Sequence, residues 1–174
     1  MSNTVALRLP VVAHGAEFLV MGYLMRRNIL TYKAPQNFEG YDLICIHPDP
    51  HKQTRVLRIQ VKSRYQTDND RVVLVKKKTF PAFDFLVMVF QNIGYYSWKG
   101  HDTLEGGFEE HKPEFYCFPN KWLCQHHKPS WGGKVPLSGL EEKIERFKNE
   151  KGFELIAERL KIPYPTRKKN RQTE

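Results

Sequence analysis

Residues 13 to 28, AHGAEFLVMGYLMRRN, carry apolar side chains nearly all round and contain no proline, which predicts a long, largely buried helix. It closes on Arg26-Arg27-Asn28, cations suited to the negative end of a helix dipole. Its one carboxylate, Glu17, falls in the expected first turns, where it either faces solvent or has a partner, because an unpartnered buried carboxylate costs several kcal/mol. The period then changes. ILTYKAP (29 to 35) and YDLICIHP (41 to 48) are short runs rich in β-branched and aromatic residues, and both read as strands. A turn with two prolines, PDPHKQ, leads into TRVLRIQVKSRY (54 to 65), a third strand that pairs antiparallel with the second because the connection is so short. RVVLVKKK (71 to 78) reads as a fourth strand.

FDFLVMVF (83 to 90) is apolar at nearly every position, the mark of a strand covered on both faces, and so belongs at or next to the centre of a sheet. The Gly-rich stretch 92 to 113 reads as an irregular excursion with one further strand around Gly94 to Trp98. EFYCFP (114 to 119) is a strand and NKWLCQHH a short helix. Ser138-Gly139-Leu140-Glu141 has a capping-box pattern that starts another helix, and Gly152 is expected to interrupt it before a last helix from about 153 to 161. Such an order of elements describes one α/β sandwich around a mixed sheet, residues 1–164, followed by a basic tail, 165–174, expected to be disordered.

Alternation inside the third strand brings the chemistry into view. Gln60 and Lys62 lie two apart and leave the same strand face, while Ile59 and Val61 go to the other. Alone, that pair is an ordinary solvated strand face, and Asp42 after Gly40-Tyr41 is an ordinary turn residue. The hairpin, however, brings Asp42 at the start of one strand near Gln60 and Lys62 at the end of its neighbour. With Glu17, this makes two carboxylates, an amide oxygen and the Val61 carbonyl: hard oxygen donors that suit Mg²⁺ or Mn²⁺. An ammonium beside such an ion can hold a water or steady the extra negative charge of a five-coordinate phosphate.

Charge adds a partner. The 174 residues carry 28 Lys and Arg against 19 Asp and Glu, a net +9, which favours polyanions through counterion release. Lys76-Lys77-Lys78 and Arg64 are placed to hold nucleic-acid backbone beside a cleft, where phosphate contacts give affinity without sequence readout. The cysteines Cys45, Cys117 and Cys124 are odd in number and widely spaced, which argues against a disulfide framework and for a reducing, cytoplasmic setting. Cys117, Cys124, His126 and His127 lack the short spacing of a zinc knuckle. No run approaches the roughly 20 apolar residues of a membrane span, the opening MSNTVALRLP lacks the pattern of a signal peptide, and no G-x-x-x-x-G-K loop is present.

The order of a helical Glu17, "GYD" ending in Asp42 at the head of a hairpin, and a "QVK" strand holding Gln60 and Lys62 resembles the PD-(D/E)XK nuclease superfamily, in particular its compact Holliday-junction-resolvase-like, restriction-endonuclease-like branch. The likeness covers about residues 13 to 90 and extends to the later strand FYCFP. It implies a restriction-endonuclease-like three-layer sandwich and a Mg²⁺-dependent (or Mn²⁺-dependent) DNA endonuclease acting on duplex or branched DNA. In that scheme Glu17, Asp42, Gln60 and Lys62 form the catalytic set, with Glu17, Asp42, Gln60 and the Val61 carbonyl as metal ligands. Gln60 departs from the family pattern, since most members carry Asp or Glu there, although some active ones, a group I intron homing endonuclease among them, have Q-x-K. The resemblance also implies a homodimer, because two strands need two active sites. The amide at position 60 keeps a second reading open, a nuclease-fold DNA-binding or assembly module that no longer cuts.

Overall fold

The computed structural model describes residues 9–35, 40–64, 72–92, 95–98, 101–104 and 112–163. The expected basic tail at 165–174 lies outside them, and so do the side chains of the 95–98 and 101–104 strands. Helix α1 spans Leu9–Met25, four residues earlier at its start than the sequence pattern predicts. Asn28, with φ 63°, turns the chain left-handed and fixes its end. Strands β1 (Leu30–Lys33), β2 (Leu43–Ile46) and β3 (Val56–Arg64) follow as an antiparallel meander. Strand β4 is only Val72–Leu74. The lysines after it do not extend it: Lys77–Ala82 form a 3-10 turn.

Strand β5 (Phe85–Phe90) is buried along its whole length and pairs parallel with β3, next to the sheet centre as its unbroken apolar run requires. A hairpin of β6 (Tyr95–Trp98) and β7 (His101–Leu104) occupies the Gly-rich excursion, two strands where one was expected. Strand β8 (Glu114–Pro119) pairs antiparallel with β5 and runs directly into α2 (Asn120–His126). The main sheet thus has the mixed order β1-β2-β3-β5-β8. Strand β4 stands apart from it, paired with β9 (Lys134–Pro136).

The C-terminal helices break at a different place from the one expected. Helix α3 is a single turn, Glu141–Ile144, and Glu145–Phe147 tighten into a 3-10 turn before α4 (Asn149–Arg159). Asn149, at φ 48°, makes the break. Gly152 lies inside α4, where a Cβ would run into the Phe147 carbonyl and the Cys117 side chain, so glycine is there to let the helix close on β8. The capping box also differs: Glu141 Oε1 reaches back to accept the Gly139 amide at 2.9 Å, and Ser138 does not cap the helix.

Strand parity sorts the side chains into three layers. Leu43, Cys45, Ile59, Val61, Val87 and Cys117 face α1 and α4, while Leu86, Met88, Tyr116 and Phe118 face α2, α3 and the β4–β9 pair. Helix α1 is less buried than its composition suggests. Ala16, Val20 and Leu24 enter the core, but Val11, Phe18 and Met25, seven residues apart, line an exposed stripe. Arg27 ties the end of α1 to α4 through an ion pair with Glu150 and lies over the Phe153 ring at 4.6 Å.

Candidate active site

The β2–β3 hairpin builds the centre of the site. The register sets Leu43 opposite Ile59, and one step further Asp42 lies beside Gln60. The Asp42 backbone amide donates to the Ile59 carbonyl at 2.8 Å, and its own carbonyl accepts the Ala34 amide at 2.9 Å, so three strands hold its Cα. Its carboxylate Oδ2 accepts the Val61 amide at 2.6 Å, standing in for a backbone acceptor where the ladder ends. The other oxygen, Oδ1, has no hydrogen-bond donor among the described residues. Since the amide and carbonyl of one strand residue leave by the same edge, the Val61 carbonyl also points toward the Asp42 side.

Two residues before Asp42, Gly40 takes φ 100°, and a Cβ there would collide with Ala82 at the end of the 3-10 turn Lys77–Ala82. That close approach seats the turn against the head of β2. Asp42 and the turn are therefore positioned by one contact that only glycine permits.

Gln60 is 7 % exposed, and its Oε1 is buried without a hydrogen-bond partner among the described residues. A buried acceptor left unmet costs about 1–3 kcal/mol, so this oxygen is available to a ligand. Lys62, two residues on, is exposed, and both side chains line a cavity of about 420 Å³ with Lys76, Thr79, Gly132 and Gly133. Among the described residues no carboxylate lines this cavity, and the ammonium groups of Lys62 and Lys76 make it a place for an anion.

The remaining predicted residues stand around this centre. Glu17 sits in the middle of α1 rather than its first turns and forms an ion pair with Lys33 of β1. Lys33 pairs with Leu43, the neighbour of Asp42, so Glu17 reaches the same end of the sheet from the α1 layer, with its charge balanced by Lys33. Lys76 shares the cavity with Gln60 and Lys62, whereas Lys77 and Lys78 are exposed on the turn beside it. Arg64 is half-buried at the C-terminal end of β3, two residues beyond Lys62.

Four residues of the site went unread in the sequence. Lys33 gave no signal beyond being a strand-end cation. Thr79, whose hydroxyl donates to the Lys76 carbonyl at 2.8 Å, falls between two expected strands. Gly132-Gly133, at φ 77° and 99°, form the opposite wall, and a Gly-Gly dipeptide is a turn signal that could have located it. At Gly133 a Cβ would meet the Val75 carbonyl and the His127 ring, so this wall is close-packed backbone.

The donor chemistry fits a hard divalent cation. Asp42 Oδ1, the orphaned Gln60 Oε1 and the Val61 carbonyl are all oxygens, and Glu17 is the second carboxylate at this end of the sheet. Among the described residues no three His, Cys, Asp or Glu side chains cluster to hold a metal, so amide and carbonyl oxygens would have to complete the set. The cysteines stand apart from it. Cys45 and Cys117 are buried in the core, the first pushed up to about 12 chiefly by burial and the second also pushed up by burial, while Cys124 is exposed.

No protein-family model matches the chain, and no curated protein matches it in sequence. Among solved structures, "The structure of a bacterial homing endonuclease: I-Ssp6803I" superposes with a TM-score of 0.54 over 89 % of this chain and 94 % of that one, at 16 % identity. The chain therefore shares a nuclease-like fold, a mixed α/β sandwich on a five-stranded mixed sheet. Among the described residues no helix is long and apolar enough to cross a membrane.

Proposed function

We propose that this protein is a divalent-metal-dependent DNA endonuclease of the PD-(D/E)XK type with a Q-x-K variant site. The observation that carries the reading is the buried, unpartnered Oε1 of Gln60, set beside Asp42 and in one cationic cavity with Lys62 and Lys76. An orphaned acceptor next to a carboxylate is a poor structural feature and a good ligand. Asp42, Gln60 and the Val61 carbonyl would hold Mg²⁺ or Mn²⁺, with Glu17 as a ligand once it gives up Lys33. Such an ion supplies Lewis-acid charge at the phosphate and a more acidic water.

The chain's own groups account for the rest. Lys62, exposed to the cavity, polarises the attacking water and donates to the phosphoryl oxygens as negative charge builds there. Lys76 orients the same phosphate from the opposite wall, and Lys77, Lys78 and Arg64 hold the flanking backbone. Water attacks phosphorus and gives up a proton to bulk water as the P–O bond to the leaving group breaks, and the departing oxygen takes a proton from bulk water. Cutting both strands needs two such sites, so the working species is a homodimer, which sedimentation in the presence of DNA would detect. Duplex and branched DNA are both candidate substrates.

A second reading is favoured by one specific contact. The Glu17–Lys33 ion pair leaves the second carboxylate neutralised, which suits a nuclease fold retained for DNA binding or assembly without cutting. Supercoiled plasmid, a four-way junction and single strands, incubated in Mg²⁺ or Mn²⁺ with wild type, Asp42→Ala and Lys62→Ala, separate the two. Cutting that both variants abolish establishes the endonuclease; binding with no cutting in any condition establishes the module. If the wild type neither cuts nor binds, both readings fail.

A further inference from the structure

A second basic cavity lies at the other end of β3. It measures about 600 Å³ and gathers Arg55 just before β3, Lys121 of α2 and Arg159 at the end of α4. All three are exposed, and no carboxylate pairs with any of them among the described residues. Elsewhere Arg27, Lys33, Arg58 and Lys148 each meet an acid. Among the described residues the one carboxylate lining the cavity, Asp84, is occupied: its Oδ2 accepts the Arg58 amide at 2.8 Å and Nε at 3.2 Å, and Oδ1 takes Arg58 Nη2 at 3.4 Å. Arg55 donates only to the Arg159 carbonyl, at 3.2 Å. Cations from separate elements converging on one concavity repel each other unless an anion lies between them.

The 3-10 turn Lys77–Ala82 separates this cavity from the candidate active site. Thr79 lines one and Phe80 the other, and exposed Lys77 and Lys78 stand on the turn. Along β3, Arg55 and Lys62 stand seven residues apart, about 23 Å at the ~3.3 Å rise of a strand. One strand of duplex DNA places a phosphate about every 3.4 Å of axis, so that distance corresponds to roughly seven nucleotides. Lys62, Lys76, Lys77 and the second cavity therefore form one interrupted track of positive charge.

We propose that the cavity of Arg55, Lys121 and Arg159 is a second phosphate-binding site, which grips the DNA backbone roughly seven nucleotides from the phosphate at Lys62. The proposal rests on the nucleic-acid reading above, though not on cutting. The floor of the cavity is formed by Phe80, Phe83 and Phe85, each nearly buried, so it offers no base-edge readout and serves affinity alone.

The test compares the full-length R55Q/K121Q/R159Q variant with K128Q/K143Q/R146Q, which removes the same charge elsewhere. Binding to a fluorescent 30-base-pair duplex is followed by anisotropy in EDTA across a salt series. Each lost phosphate contact lowers the slope of log K against log salt by about 0.9, so the cavity variant should lose about two to three in slope and roughly ten- to a hundredfold in affinity near 0.15 M salt. The control should lose less than about one in slope. Equal losses in both variants, or none in the cavity variant, overturn the proposal, and so does a wild type that binds no duplex. If the triple variant does not fold, K121Q alone, exposed on α2, is expected to lower the slope by about 0.9, and an unchanged slope overturns the proposal. Plasmid cutting is measured alongside. Cavity-dependent binding without cutting keeps the phosphate site and removes the endonuclease reading; cutting with cavity-independent binding does the reverse.

Discussion

Gln60→Glu puts a carboxyl where a buried amide oxygen now lacks a partner, and its consequence can be worked out before any activity is measured. Without metal, the introduced group lies beside Asp42 in a position only 7 % exposed. Burial and a like charge both raise its folded-state pKa above the usual carboxyl value near 4.3. A group whose folded pKa is raised costs nothing below the unfolded pKa and costs progressively more as pH rises toward the folded one. The cost is capped because the group can simply protonate: at pH 7 it cannot exceed about 3.7 kcal/mol, the 2.7-unit gap at 1.36 kcal/mol each. For a chain of this size each kcal/mol moves Tm by about 2–4 °C, so the metal-free variant should melt up to about 7–15 °C below wild type at pH 7 and match it near pH 4.

Metal should reverse the sign. A cation at 100 times its Kd stabilises the folded state by about 2.7 kcal/mol, and a third carboxylate lowers the Kd that sets this scale. Differential scanning fluorimetry at pH 7, with EDTA or with a Mn²⁺ titration, therefore reads a larger Mn²⁺-induced rise in Tm for the variant than for wild type. A variant that melts like wild type in EDTA would show that Oε1 is not in a dry site. A variant destabilised in EDTA with no rise in Mn²⁺ would show that no cation comes to it, and the metal-site reading would be refuted.

Lys33→Met leaves the half-buried Glu17 carboxylate unpaired, costing about 1–3 kcal/mol in EDTA, and should increase the Mn²⁺-induced stabilisation if Glu17 is a ligand; an unchanged metal response restricts Glu17 to a structural ion pair. Gly40→Ala combines a φ of 100° with a collision against Ala82, so it should lose at least about 1–3 kcal/mol in urea unfolding and reduce any cutting with it. Gly152→Ala would gain about 1 kcal/mol on helix propensity alone, yet the clash with Phe147 should outweigh this and make the variant about 1–3 kcal/mol less stable by the same measurement. At pH 8 Ellman's reagent should titrate one thiol quickly in the native protein, exposed Cys124, and three after denaturation, because burial keeps the Cys45 and Cys117 thiols protonated.

The parts of the fold legible in the sequence are those fixed by a repeat period. β5 is buried at every position, as its unbroken apolar run requires, and the β2–β3 hairpin follows from alternation plus a short turn. The same alternation set Gln60 and Lys62 on one face, and both line one cavity. Helix ends were less legible because they depend on single residues: Asn28 and Asn149 stop or break helices by adopting positive φ, which composition does not announce. Gly152 was misread for a related reason. A glycine that weakens a helix in isolation can be required by the strand packed against it.

Glu17 marks the limit of such reading. Its place on α1 follows from the helix, but its state depends on Lys33, sixteen residues later on a different element. No period links the two; only the register of β1 on β2 does, by setting Lys33 against Leu43. With Glu17 balanced by Lys33 and Asp42 engaged by the Val61 amide, the carboxylates at this end of the sheet are stable without a cation, and the unmet demand is concentrated in one neutral atom, Gln60 Oε1. A Gln at this position is therefore more than a weakened ligand. It lets the site stay folded and empty, where a third carboxylate would make folding depend on metal.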